Sequence, residues 1–217
     1  MSAPRTRTAP GLLLAVLLAQ VASAQSLGEL GRQARQQKAD STRKVWTNED
    51  LGTFFPEIKR LPTQTRLGSL SDYAATPLPV VEAMLKLAQV GPDDLVFDLG
   101  SGDGRIVIMA AERFGARGVG IELDSVLVAN SRLAVREKGL EERVKILEAN
   151  FLDVDFSPAT VVTIYLPKIA IDTLRPHLEQ HLRPGTRVVV RQLELPTWTQ
   201  ERQEIREGEV LYLYRFK

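Results

Sequence analysis

Two carboxylates and a set of closely spaced glycines are the residues of this chain best able to do chemistry together. Asp98 follows the apolar run Leu95-Val96-Phe97, and Gly100, Gly102 and Gly104 come after it at alternate positions. Glu122 ends a second run, Gly118-Val119-Gly120-Ile121, 24 positions beyond Asp98. Alternate glycines leave a backbone that a ligand approaches without a Cβ in the way. An acid just before such a loop suits an ammonium, and an acid ending the next strand suits a pair of ribose hydroxyls. Each charge-assisted hydrogen bond of this kind is worth about 1.5–3 kcal/mol. Glycine spacing narrows the ligand. A dinucleotide fingerprint, G-x-G-x-x-G, needs its third glycine at position 105, which is Arg105. The third glycine comes one residue early, so no pyrophosphate needs cradling. G-x-G-x-G after an acid suits a ligand with an amino acid and a nucleoside but no phosphate.

These residues need strands and helices to hold them. Leu95–Phe97 reads as a buried strand, and Ile106-Val107-Ile108-Met109-Ala110-Ala111 begins an apolar helix after the turn. Val80, Val81, Met84, Leu85 and Leu87 have the spacing of an amphipathic helix, with Thr76 as its cap and Pro77 in its first turn. Ser125–Lys138 reads as a helix closed by Gly139, and Val144–Leu147 as a third strand. Thr160–Leu166 is a fourth strand, followed by Pro167 and a helix to about Leu182. Arg187–Arg191 is a fifth, and two more candidates lie near Glu201–Arg206 and Val210–Phe216. Pro196 and Trp198 stand where a helix between the fifth and sixth strands would run. Alternating strands and helices predict an α/β fold with a doubly wound sheet.

Asp98-Leu99-Gly100-Ser101-Gly102-Asp103-Gly104 resembles the first motif of the class I, seven-strand, S-adenosylmethionine-dependent methyltransferases. Gly118-Val119-Gly120-Ile121-Glu122-Leu123-Asp124 is similar to that family's second motif. Tyr73-Ala74-Ala75-Thr76-Pro77 resembles the Tyr-x-x-Thr-Pro segment of one branch, the lysine methyltransferases of the mitochondrial ATP-synthase c subunit and of the adenine nucleotide translocase. The resemblance implies a Rossmann-like seven-stranded sheet, mostly parallel with an antiparallel C-terminal strand, over 71–217. It implies S-adenosyl-L-methionine as cofactor, held by Asp98, Gly100, Ser101, Gly102, Glu122 and Leu123. Asn150 and Phe151 would form the adenine wall, although alone they read equally as ordinary loop residues. Tyr73 and Thr76 would close over the methionine end, with lid or core packing as the plainer alternative. Tyr165 and Pro167 end the fourth strand, where the family puts substrate-facing residues; Tyr73 and Tyr165 are candidate catalytic residues with Pro167. The implied acceptor is a protein lysine amine. A small-molecule acceptor, or a binding module without catalysis, are the alternatives.

Composition bounds the partners. The chain has 217 residues, with 28 basic against 27 acidic. Residues 1–24 hold two of the basic residues and no acid, which leaves 26 against 27 beyond them. That near balance argues against nucleic acid, which needs a concentrated basic face. With no cysteine, disulfides, thiolate metal sites and a cysteine nucleophile are excluded. His177 and His181 flank Glu179, but a metalloprotease helix requires Glu directly after the first His, where Leu178 stands. A solvated helix face is expected there, Asp153 and Asp155 are expected to be solvated loop acids, and no metal is expected. Arg5 and Arg7, the apolar run Gly11–Ala19 and Ala22-Ser23-Ala24 resemble an export signal over 1–24. A membrane anchor and an organelle transit peptide are the alternatives. Residues 25–70 read as a linker arm, with a short helix over Leu27–Gln37 and apolar anchors at Trp46, Phe54 and Phe55.

Overall fold

Runs of aliphatic residues without polar alternation form the central strands, as burial on both faces of a parallel sheet requires. The structure is a computed structural model that describes residues 74–217. The expected leader 1–24, the expected arm 25–70 with its predicted helix and anchors, and Tyr73 lie outside the described residues. Strands β1 (Leu95–Leu99), β2 (Arg117–Glu122), β3 (Val144–Glu148), β4 (Val161–Ile164) and β5 (Arg187–Arg191) are parallel. Strands β6 (Gln200–Arg206) and β7 (Glu209–Arg215) form a hairpin, and β7 inserts antiparallel between β5 and β6. The order across the sheet is β3-β2-β1-β4-β5-β7-β6. The chain reverses direction across the sheet between β1 and β4, the place where doubly wound sheets bind ligands.

Helices α1 (Leu78–Leu87) and α2 (Arg105–Phe114) cover one face, burying Val80, Met84, Ile106 and Met109 against Val96, Val161 and Val189. Helix α3 (Ser125–Glu137) packs with α2 over Val144 and Ile146. Helix α4 (Lys168–His181) covers the other face, setting Ile171, Leu174 and Leu178 against Phe97, Leu99, Ile164 and Val190. No helix lies between β5 and β6. There the Tyr214 hydroxyl accepts from the Leu195 amide (2.8 Å), and Trp198 packs on Tyr214.

Four expectations need correction. Thr76 does not cap α1, whose N-cap is Pro77 with no side-chain hydrogen bond; the threonine oxygens are taken by two arginines described below. The fourth strand stops at Ile164, because Tyr165, Leu166 and Pro167 leave the sheet to line a cavity. His177 and His181 are not a solvated face. His177 is half-buried edge-on against Phe156 (5.1 Å between centroids), with its Nε2 3.1 Å from the Val154 carbonyl oxygen. Asp155 is half-buried too, accepting from the Ser157 amide at 2.8 Å with His181 Nδ1 3.8 Å away. Asp153 is likewise half-buried in a 3-10 turn, so neither acid is a solvated loop carboxylate. The cause is shared: α4 leans on the β3–β4 connection and covers its own histidine face.

Helix α2 can seat on β2 because Gly118 has no side chain. A Cβ there would sit 2.7 Å from Val107 Cβ and 3.2 Å from Val107 Cα, which is helix backbone and cannot rotate away. Gly118→Ala is expected to destabilise the fold by about 1–3 kcal/mol, the usual cost of overpacking. Urea unfolding checks this: the midpoint falls while the slope stays unchanged.

Candidate functional site

The carboxyl ends of β1, β2, β4 and β5 enclose a cavity of about 480 Å³. Asp98 lies at its inner wall, 3% exposed, and its Cα partners in the sheet are Gly120 on β2 and Thr163 on β4. The Thr163 hydroxyl donates to Asp98 Oδ1 at 2.7 Å. The other oxygen of Asp98 receives no hydrogen bond among the described residues. Burial pushes the carboxyl up to about 7; the Thr163 hydrogen bond works against that rise, while the nearby Glu122 and Asp103 add to it. Asp98 is therefore a carboxyl short of one cationic partner.

The glycine loop is bent by three left-handed residues, Gly100 (φ 77°), Gly102 (φ 56°) and Gly104 (φ 77°). A Cβ on Gly100 would meet Leu166 Cδ2 at 2.9 Å, so a side chain would fill the gap between loop and β4. Ser101 lines the cavity and is buried, with its hydroxyl unpartnered among the described residues. Gly102 corrects the reading of this loop: it does not line the cavity. Its amide instead donates to Glu122 Oε2 at 2.9 Å. Glu122 Oε1 accepts from the amides of Leu123 (2.7 Å) and Asp124 (2.9 Å). Half-buried and paired with no lysine or arginine among the described residues, Glu122 is held by three backbone donors and not by a surface ion pair.

The remaining expected residues meet at the same cavity. Leu123, Asn150, Phe151, Thr76, Tyr165 and Pro167 all line it. Asn150 Oδ1 caps the 3-10 turn Phe151–Asp153 by accepting from the Leu152 amide at 3.0 Å, so part of its role is the local one. Phe151 packs half-buried against the main core. Sequence reasoning missed three residues. Thr163 is fully buried beside Asp98, signalled only as a polar residue inside Val161-Val162-Thr163-Ile164. Arg105 grips Asp103 of the loop through Nε (2.9 Å) and donates through Nη1 to the Thr76 carbonyl (2.8 Å). Arg191 closes the far wall, signalled by a charge ending a Val188-Val189-Val190 strand at the ligand edge.

The fit to a cationic amino-acid nucleoside can be tested on these atoms. The cavity holds a buried carboxyl with one unfilled oxygen, an unpartnered buried hydroxyl, a fixed acid with lone-pair capacity left, and a gap that a Cβ would fill. No group of three metal-ligating side chains forms among the described residues. The donor set suits an ammonium and a ribose.

Burial of Asp98 also makes stability depend on pH. Between about pH 4 and pH 7 the folded chain keeps a proton on Asp98 that the unfolded chain has released, so stability falls as pH rises through that window and levels off above it. Asp98→Asn removes this contribution. The difference in unfolding free energy between the two proteins is expected to grow with pH from 4 to 7, by about 1.4 kcal/mol per unit at most. Denaturant titrations at pH 5, 6, 7 and 8 check it, and a constant difference would refute it.

Comparison with known proteins agrees with this geometry. The family model described as the ANTKMT methyltransferase domain matches residues 98–202. A protein-lysine N-methyltransferase of Saccharolobus islandicus is 40% identical over 147 residues, covering 65% of this chain and 91% of that protein. The adenine nucleotide translocase lysine N-methyltransferase of Mus musculus is 33% identical, and the chain spans 60% of its length. The solved structure of an RNA methyltransferase from Salinibacter ruber, in complex with S-adenosyl-L-homocysteine, is 44% identical with a TM-score of 0.64. It aligns over 66% of this chain and 94% of that one. Loop, strand-end acid, sheet order and relatives lead to one conclusion: the chain belongs to the class I S-adenosylmethionine-dependent methyltransferases.

Proposed function

We propose that this methyltransferase acts on a protein lysine amine. One observation carries the choice of acceptor: Tyr165, Leu166 and Pro167 line the cavity just past the end of β4, and the Tyr165 ring has the Arg191 guanidinium 3.8 Å over its centroid. A ring face covered in this way is closed to a stacked base, the commonest contact to an unpaired nucleotide. The similarity to the Saccharolobus lysine methyltransferase supports the same reading.

When bound, S-adenosylmethionine supplies a methyl group already activated on a sulfonium. The residues of the chain hold and orient. Asp98 in its ionised form takes the ammonium through the oxygen that Thr163 leaves unfilled. Glu122, fixed by three amides, accepts from the ribose hydroxyls. Gly100 and Ser101 would hold the amino-acid part of the cofactor, and Leu123, Asn150 and Phe151 would hold the adenine. Thr76, which lines the cavity, would border the methionine end. The apolar walls, Ile121 and Leu166 among them, exclude water. Alignment of this kind contributes up to roughly 7–11 kcal/mol. A lysine acceptor must first lose its proton, which costs about 4–5 kcal/mol at pH 7. Tyr165 and Pro167 bracket the acceptor side, where the tyrosine hydroxyl orients the neutral amine.

Cofactor binding is expected to weaken below pH 7, because the ammonium needs Asp98 charged and each binding event then releases a proton. Calorimetry with S-adenosylhomocysteine in buffers of different ionisation heat checks this. Glu122→Gln should lower the same affinity about 10- to 100-fold, in line with one or two charge-assisted bonds.

The Salinibacter neighbour, by its name, favours a second acceptor, RNA. Radiolabelled methyl transfer separates the two when the enzyme is offered a lysine–leucine copolymer, an unmodified ribosomal transcript and a panel of free amines. Label in the polypeptide, recovered as methyllysine after acid hydrolysis, is the expected result. Label in the transcript alone would overturn the lysine reading.

A further inference from the structure

We infer that Arg191 is a positioning residue for the acceptor side of the site, acting through Tyr165. The inference rests on the proposal that Tyr165 faces the acceptor. Arg191 ends β5 and its side chain is only 6% exposed, an unusual place for a charge. Its Nε and Nη2 donate in parallel to Glu209 at 3.0 and 2.8 Å. Its Nη1 donates to the Thr76 hydroxyl at 3.1 Å, and its guanidinium lies over the Tyr165 ring at 3.8 Å. The Arg191 charge holds the Glu209 carboxyl below its usual range.

A buried ion pair of this kind seldom adds stability over an apolar pair of the same shape. What it adds here is geometry. The bidentate grip on Glu209 fixes the plane of the guanidinium, and that plane fixes the plane of the Tyr165 ring. The phenolic O–H bond lies in the plane of the ring, so the ring plane sets the direction in which the hydroxyl donates and accepts. A lysine at position 191 would keep the charge but lose both the fork and the flat stacking surface. Arg191 also reaches Thr76, while Arg105 holds the carbonyl of the same residue. The segment ahead of α1 is thereby fastened to both the loop side and the acceptor side of the cavity.

The test uses the full chain, labelled with 3-fluorotyrosine, with the Tyr165 resonance assigned by its loss in Tyr165→Phe. In Arg191→Lys that resonance should shift and broaden, while affinity for S-adenosylhomocysteine falls by clearly less than turnover, because Thr76 loses one bond and keeps the one from Arg105. Turnover, measured on whichever acceptor the wild-type enzyme methylates, should fall about 10- to 100-fold, the loss expected from a misplaced reacting group. In a Tyr165→Phe background the same substitution should cost less than about threefold, because residues acting through one another are not additive. Should Arg191→Lys not fold, Glu209→Gln frees the fork while leaving the arginine, and should give the same pattern at smaller size. An unmoved Tyr165 resonance, an equal turnover loss in both backgrounds, or loss of affinity matching loss of turnover would each overturn the inference. Methylation of RNA in place of the polypeptide would defeat the lysine proposal alone, since resonance and affinity report on Arg191 without reference to the acceptor.

Discussion

A carboxyl buried at the carboxyl edge of the central strand is the constraint on which this architecture depends. Asp98 is almost wholly withdrawn from solvent where it stands, so its neighbours must tolerate its charge or its proton. Gly120 on one side contributes no side chain, and Thr163 on the other contributes a single hydroxyl. The remaining oxygen is left to the cavity. An empty site therefore carries an unfavourable group that a cationic ligand relieves. Part of the binding energy is stored in the fold as the cost of burying that carboxyl with a single hydrogen bond.

Glu122 solves a different problem. An acid that must accept from two hydroxyls has to be immobile beforehand, and three backbone amides hold it. One of those amides belongs to Gly102, so the loop and the acid brace each other across the β1–β2 edge. The close seating needed for this explains the glycines of β2. A Cβ at Gly120 would meet the Ser101 hydroxyl oxygen at 2.6 Å and Ile146 Cδ1 at 2.8 Å. The loop can tuck against β2 only because nothing projects there.

Strand β5 carries an arginine at each end, and the two have different work. At its start Arg187 pairs with Asp94 and donates to the carbonyls of Ala88 (2.6 Å) and Gln89 (3.1 Å), tying the end of α1 to the base of the sheet. Asp94 also takes the Thr160 hydroxyl (2.7 Å) and the Gly91 amide (2.8 Å), so this end is a saturated structural joint. At the other end Arg191 meets Glu209, Thr76 and an aromatic ring on the cavity wall. The same residue type anchors the fold at the edge away from ligand and shapes the pocket at the edge that meets it.

The glycine spacing, the two strand-end acids and the alternation of apolar runs could be read directly, because each is a local pattern enforced by backbone geometry. They are enough for the strand and helix order and the cofactor class; the role of Tyr165 and Pro167 comes from the resemblance to the methyltransferases. Residues whose meaning depends on a distant partner could not be read this way. Thr163 matters because register sets it beside Asp98, 65 positions earlier, and Arg191 because β7 and the segment before α1 converge on it. Gly102 reads as ligand-facing backbone, yet its amide donates to Glu122, and His177 reads as solvated, yet it packs edge-on against Phe156. The amino-acid order alone determined which groups are available and what local turns they make. Tertiary structure decided which of them share one low-dielectric cavity, since burial and pairing are properties of residues brought together across the sheet.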